Sequence, residues 1–241
     1  MGYNKNMDDR KIKDDVLSYR EMCDLENVQT LQRGMNYRLN PAYSVFLMSQ
    51  RSNAPYNDKV RGDGITIEYE GHDTIKRGYG HNPKLENQPD YLPSGKHTQN
   101  GLFLKAVNGY KEGTREPEGV KIYEKVIPGI WSLKGYFNLV DYKLHNDGNR
   151  SVFRFVLTSS NKNNDDLGNI DKELKFNRVI PSHVKLEVWK RDQGKCVICG
   201  ETKNLHFDHD LPFSKGGTSL TAKNVRLLCM KHNLEKSDTI E

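Results

Sequence analysis

Long hydrophobic runs are missing from this chain. No apolar stretch approaches the ~18 residues that a membrane-spanning helix needs, and the opening MGYNKNMDDRKIKDD has no apolar segment of the kind a secretory signal carries. A membrane span and an export signal are therefore not expected. Asn6 stands where a myristoylation signal starting at Gly2 would need Ser or Thr. Cysteine is also scarce, with four residues, Cys23, Cys196, Cys199 and Cys229. Three cluster near the C-terminus and one lies far away, which makes a poor disulfide framework and a good metal-site pattern in a reducing cytosol. Neither sign of charge dominates: 37 Lys and Arg against 32 Asp and Glu leave +5, with a pI near 8.8. Such mild basicity is compatible with a polyanionic partner without demanding one. No internal repeat or low-complexity tract is found, which argues against a solenoid and against wholesale disorder.

What is present is a polar globular composition, with 29% charged residues and a mean hydropathy of -0.82, over 241 residues. That length suits two modest domains. Residues 1–38 are charged and then mildly amphipathic, and DDVLSYREMCDLENVQTLQRG reads as one or two short helices stopped near Gly34. Cys23 in that stretch reads as a small buried hydrophobe. Residues 39–160 change character. GITIEYEG alternates apolar and polar side chains, as a half-buried strand does. YSVFLMS, GVKIYEKV, GYFNLVDYKL and RSVFRFVLTS are further strands between turn-rich stretches. Many short strands point to a mainly β barrel or strongly curved sheet. Residues 161–180 are polar and aperiodic and read as a linker. Residues 181–241 form a second unit that opens with a helix, capped by Ser182, with Val184 and Val188 four apart and Leu186 and Trp189 three apart. The fold class is thus α+β.

The second unit holds the sharpest signal. Cys196-Val-Ile-Cys199 and Cys229-Met-Lys-His232 are two knuckles of equal spacing. Three thiolates and one imidazole make a closed tetrahedral set that suits Zn²⁺ in a structural role, with no position left for a reactive water. A redox CxxC pair is the competing reading, and the second knuckle argues against it. Asp208, His209, Asn224 and Asn233 remain. Each alone reads as a surface polar group, a turn residue or a helix residue.

The lead-in VWKRDQGKCVICG, the pair in FDHDLPFSKGG, then NVRLLC and HNLEK resemble, in that order, the HNH endonuclease family with its ββα-metal fold. The resemblance implies phosphodiester hydrolysis of DNA. His209 would be the general base, since imidazole titrates near neutrality. Asp208 and Asn233 are hard oxygen ligands for a catalytic Mg²⁺ or Mn²⁺. Asn224 would be a strut for the imidazole. Asn233 stands where the family usually has His. On a regular strand Asp208 and His209 point to opposite faces, so a twist or bulge is expected there. Lys215, Lys223, Arg226 and Lys236 are phosphate contacts or simply a solvated face.

Within residues 39–160, APYNDKVRGDGITIEYEGHD resembles the strand-loop-strand signature of SRA domains, PUA-like barrels that read 5-methylcytosine by flipping it from the duplex. QNGLFLKAVNGYKEGTREPEGVKIYEK and GIWSLKGYFNLVDYKLHNDGNRSVFRFVLTS resemble the later part of that domain. The resemblance implies that Tyr56 and Tyr69 stack on the flipped base and that Asp58, one position out of register with the family's aspartate, accepts from its amino group. Lys96, His97 and Gln99 in LPSGKHTQNG are candidates to approach the backbone or fill the gap in the stack. Together the two resemblances imply a modification-dependent, type IV-like restriction endonuclease of a bacterial or archaeal cytosol, acting in phage defence. It would act on double-stranded DNA bearing 5-methylcytosine or 5-hydroxymethylcytosine, with a homodimer cutting both strands. The alternative is a modified-DNA-binding protein whose HNH-like unit is only a structural zinc module.

Overall fold

The computed structural model describes residues 16–62, 65–76, 78–160, 180–210 and 221–238. The elements in chain order are β1 (Val16–Ser18), α1 (Tyr19–Leu25), β2 (Met35–Asn40), β3 (Tyr43–Met48), β4 (Lys59–Val60), β5 (Thr66–Glu70), α2 (Gln99–Lys111), β6 (Glu118–Ile127), β7 (Ile130–Asn146), β8 (Ser151–Ser159), α3 (Ser182–Arg191), β9 (Leu205–His209), β10 (Val225–Cys229) and α4 (Met230–Asp238). The fold is mixed α+β and mostly sheet.

The five expected strands are found as β3, β5, β6, β7 and β8. Their ladder runs β2-β3-β6-β7-β8-β5-β4, with β1 added on β7. Among the described residues only β3 and β6 pair in parallel. The sheet is curled. In a flat sheet β3 and β5, four places apart, would be separated by about 19 Å. Instead the rings of Phe46 on β3 and Tyr69 on β5 lie 4.3 Å apart. Residues from β2, β3, β5, β6, β7 and β8 then share one apolar core, closed on one side by Phe103 and Val107 of α2. Part of the bend is a bulge in β7. Lys134 is the extra residue between the Leu133–Tyr123 and Gly135–Ile122 pairs, and Gly135 takes φ +109, which a side chain would resist. The ladder path is open, since β2 and β4 are its two ends and no pairing joins them among the described residues.

Two expectations need correction. Among the described residues of the segment foreseen as helical over 1–38, only Tyr19–Leu25 forms a helix, where Ser18 and Glu21 form a capping box. β1 and β2 on either side of it belong to the sheet, because Val16 and Met35 are apolar anchors of strands. Gln99–Lys111, for which no element was expected, is a helix capped by Thr98, whose Oγ1 accepts from the Gly101 N–H at 3.1 Å. Ser182 does not cap α3. Pro181 occupies that position, and the Ser182 hydroxyl instead meets Gln50 and Glu124 of the large sheet. The linker lies outside the described residues, Ile180 excepted.

The C-terminal elements have their own core. Val184, Val188, Leu205, Phe207, Val225, Leu227 and Leu228 meet there, joined by Val16 of β1 and packed against by Ile130 of β7. The unit is therefore not detached from the sheet. Its register, Val225↔His209 through Cys229↔Leu205, is regular and antiparallel.

Candidate nucleic-acid interface and metal centre

The loop between β3 and β4 carries Tyr56 and Asp58 and is tied down by carboxylates. Asp58 is 6% exposed. One of its oxygens accepts from Ser49 N–H and the other from Glu70 N–H, each at 3.1 Å. Burial raises its pKa to about 7, against the pull of those two N–H groups. Glu70 accepts from Asn57 N–H at 2.9 Å and pairs with Arg154 at 3.2 Å and the buried Arg150 at 3.4 Å. Arg150 also binds Asp73 at 2.6 Å, and Asp73 binds Lys84 at 2.9 Å. The loop is thus fixed by charge-assisted bonds.

Tyr56 is half-buried. Its ring stacks on His72 with centroids 5.1 Å apart and planes 14° apart, and the Lys84 ammonium sits 4.2 Å from its centroid. Tyr69 departs from the stacking role that the resemblance implies. It is 1% exposed, packs on Phe46, and donates its hydroxyl to the Leu47 carbonyl at 3.1 Å. Strand alternation turned it into the core. His72 holds its place by two 2.8 Å bonds to Asn100, N–H to Oδ1 and carbonyl to Nδ2. Burial lowers the His72 pKa to about 4, so the ring is neutral in ordinary buffers.

Lys96, His97 and Gln99 are elsewhere. Tyr91 and His97 pair across a tight hairpin, with Gly95 at φ +80. The Gln99 Oε1 turns inward to accept from Tyr37 N–H at 2.7 Å. Shortly after Asp73, whose N–H meets the Tyr56 hydroxyl, Ile75 and Tyr79 are large, apolar and strongly exposed. They lie on the segment between Asp73 and the short turn Pro83–Leu85. Sequence reasoning missed His72, Lys84 and this segment. A clue was available in GHDTIKRGYG, an aromatic and an aliphatic among basic residues and glycines directly after the strand.

In the C-terminal unit the four ligand atoms of Cys196, Cys199, Cys229 and His232 lie within 4.8 Å of one another. Cys199 and Cys229 Sγ are 3.8 Å apart, and His232 Nδ1 is 3.4 Å from Cys196 Sγ and 3.3 Å from Cys229 Sγ. A zinc–sulfur bond of about 2.3 Å gives tetrahedral edges of about 3.8 Å, so the set fits that ion closely. Burial pushes the Cys196 thiol up, but N–H groups of Cys229, Cys199 and Ile198 together with His232 bring it down to about 6. Gly200, at φ +78, closes the first knuckle with its N–H on the Cys196 carbonyl.

Asp208 and His209 sit at the end of β9. The expected bulge is not there, because the β9–β10 register passes through both residues unshifted. Asp208 is buried and ion-paired with Lys236, whose ammonium also reaches the His209 carbonyl. Asn224 ends a short turn, and its carbonyl accepts from Asp210 N–H at 2.8 Å. Asn233 is buried in α4. Arg226 pairs with Asp210 at 3.0 Å and Lys223 is exposed. Lys215, Pro212 and the SKGG stretch lie outside the described residues. Among the described residues the three-cysteine, one-histidine set is the only cluster of three or more His, Cys, Asp or Glu arranged for a metal. Lys236 occupies one oxygen of the Asp208 carboxylate.

No protein-family model matches the chain, and no curated protein does either. Solved structures give a distant likeness. The SRA domain of SUVH5 with hemimethylated CG DNA is 17% identical, with a TM-score of 0.42 over 62% of this chain and 88% of that one. The same domain bound to fully hydroxymethylated CG DNA is 19% identical, with a TM-score of 0.39 over 60% and 85%. Arabidopsis thaliana SUVH6 in complex with SAM is 15% identical, with a TM-score of 0.39 over 61% and 25%. Among the described residues no helix is long and apolar enough to cross a membrane.

Proposed function

We propose that the chain binds double-stranded DNA and reads a modified cytosine, 5-methyl or 5-hydroxymethyl, by taking the base out of the stack. The observation that carries this reading is the pairing of a half-buried stacking ring, Tyr56, with a buried carboxylate two residues on, Asp58. A flipped cytosine needs a π-face and an acceptor for its amino group. Asp58 has lone pairs beyond the two taken by Ser49 and Glu70. The protruding Ile75 and Tyr79 suit the space a flipped base vacates, and Lys84 and Lys76 suit phosphates. The zinc set staples the small C-terminal core, whose buried apolar residues are few.

A second reading adds strand cleavage by the C-terminal unit as a homodimer. It is favoured by the order β9, β10, α4 with Asp208, His209, Asn224 and Asn233 on it. In it His209 would accept a proton from the attacking water, and Lys236 would have to leave Asp208 before a divalent ion could bind. Matched plasmids, unmodified, 5-methylated and 5-hydroxymethylated, incubated with Mg²⁺, Mn²⁺ or chelator, separate the readings. Selective binding without cutting is the expected outcome for a reader. Metal-dependent cutting that disappears in His209→Ala would establish the nuclease. Equal binding to all three plasmids would remove the reader.

A further inference from the structure

The base slot has one ring that can move and one that cannot. Tyr69 can offer no face to a base, since Phe46 packs on it and the Leu47 carbonyl holds its hydroxyl. His72 stands between Tyr69 and Tyr56. Its Nε2 is 3.5 Å from the Tyr69 hydroxyl, and its ring centroid is 6.4 Å from that of Tyr69 and 5.1 Å from that of Tyr56. The backbone beneath it is clamped. Besides the two bonds to Asn100, the neighbouring Gly71 donates to the Phe153 carbonyl at 2.9 Å and accepts from Gln88 at 2.6 Å. Gly34 walls the imidazole from behind, because a methyl group there would come within 2.7 Å of both Nε2 and the Tyr69 hydroxyl.

Tyr56 is held loosely by comparison. Its hydroxyl is 3.5 Å from Asp73 N–H, the long limit of a hydrogen bond. Its other anchor is Lys84, a flexible and partly exposed side chain bound to Asp73 and to the Pro55 carbonyl. Admitting a base between two rings requires roughly 7 Å, two aromatic contact distances. The present 5.1 Å separation must widen by about 2 Å, and Tyr56 is the ring free to do it.

We infer that His72, rather than Tyr69, is the fixed platform of the base slot: the modified cytosine enters between His72 and Tyr56, Tyr56 moves outward, and Lys84 passes from the tyrosine ring to the DNA backbone. The inference rests on the reader function proposed above. It assigns stacking to a residue outside the tyrosine pair and leaves Tyr69 as its buttress.

The test is fluorescence polarisation of the full chain on three duplexes that differ only in one cytosine, 5-methylcytosine or 5-hydroxymethylcytosine. His72→Ala and His72→Leu should lose roughly tenfold or more in affinity for the modified duplexes, as loss of a base–aromatic stack does. His72→Phe should stay within about threefold of wild type, since it keeps a flat ring. Leu fills the volume without a π-face, so it separates stacking from collapse of the slot, and a thermal melt of each variant reports folding. If wild type discriminates and the Leu variant binds as wild type does, or more tightly, His72 is not the platform and only this inference falls. If wild type binds all three duplexes alike, the reader function falls and the inference with it.

Discussion

The ammonium of Lys185 on α3 donates to the hydroxyl of Ser132 on β7 across 3.0 Å, and both side chains are buried. This bond crosses from the C-terminal unit to the large sheet. Beside it Lys134 pairs with Glu124 at 2.7 Å, also buried. Buried charges are costly unless partnered, so removing one member hurts more than the pair helps. Lys185→Ala leaves the Ser132 hydroxyl without its donor and empties a buried stem, and is expected to lower stability by about 1–3 kcal/mol in urea unfolding. Lys185→Met, which keeps the stem over Phe207, should cost less. Equal stability of wild type and both variants would mean that the seam is not a stabilising contact.

Asp58 and His72 titrate with opposite consequences for stability. Asp58 rises from 3.8 to about 7 on folding, so its contribution is full below pH ~4 and lost as pH climbs through 7. His72 falls from 6.5 to about 4, so its contribution is full above pH ~6.5 and lost as pH drops through 4. Between these limits the two slopes cancel, and wild-type stability should be flat from about pH 4.5 to 6. His72→Phe should unmask a decline with rising pH, and Asp58→Asn an increase. Urea midpoints across that range measure both, and parallel profiles for all three proteins would refute the assignment.

If the ionised Asp58 receives the cytosine amino group, binding should strengthen as pH rises through 7. A ligand that requires the carboxylate binds about tenfold more weakly at pH 6 than at pH 8 when the pKa is near 7. Asp58→Asn should remove this dependence. An unchanged pH profile in that variant would assign the titration to another group.

Zinc removal should act on the C-terminal elements. With the four ligands so close, one equivalent of zinc per chain is expected in the purified protein. A strong chelator, or Cys229→Ser, should expose the amides of β9, β10 and α4 to hydrogen exchange while those of β5 and β8 stay protected. Metal analysis that finds no zinc, or exchange that is indifferent to chelator, would count against the site.

The strands were legible because alternation in residues such as Ile65, Ile67 and Tyr69 is a local signal. The metal set was legible because ligand identity and spacing are written in the chain. Helix α2 was hidden. Asn100, Gly101, Asn108 and Gly109 are weak helix formers, and tertiary packing of Phe103 and Val107 overrides them. Gly101 is there for another reason, since a methyl group would strike the Asp90 carbonyl at 2.0 Å. The proposed base slot was half legible. Tyr56 and Asp58 were named from the sequence, and the structure places them on one loop tied down by carboxylates. Tyr69 follows the alternation of β5 into the core, where Phe46 meets it across the curl of the sheet, and the resemblance alone assigned it to the base. The pairing of Lys236 with Asp208 is likewise a product of the docking of α4.

Val16 stands near the start of the chain, pairs with Ser132 in the large sheet, and packs into the apolar core of the last 60 or so residues. Strand β1, strand β7 of the large sheet and the C-terminal unit therefore meet at one place. Cutting between residues 160 and 180 would not liberate two tidy modules. It would leave Val16 and Ile130 facing water on one fragment and strip the other of part of its interior, so the protein is expected to be made, unfolded and degraded as one piece.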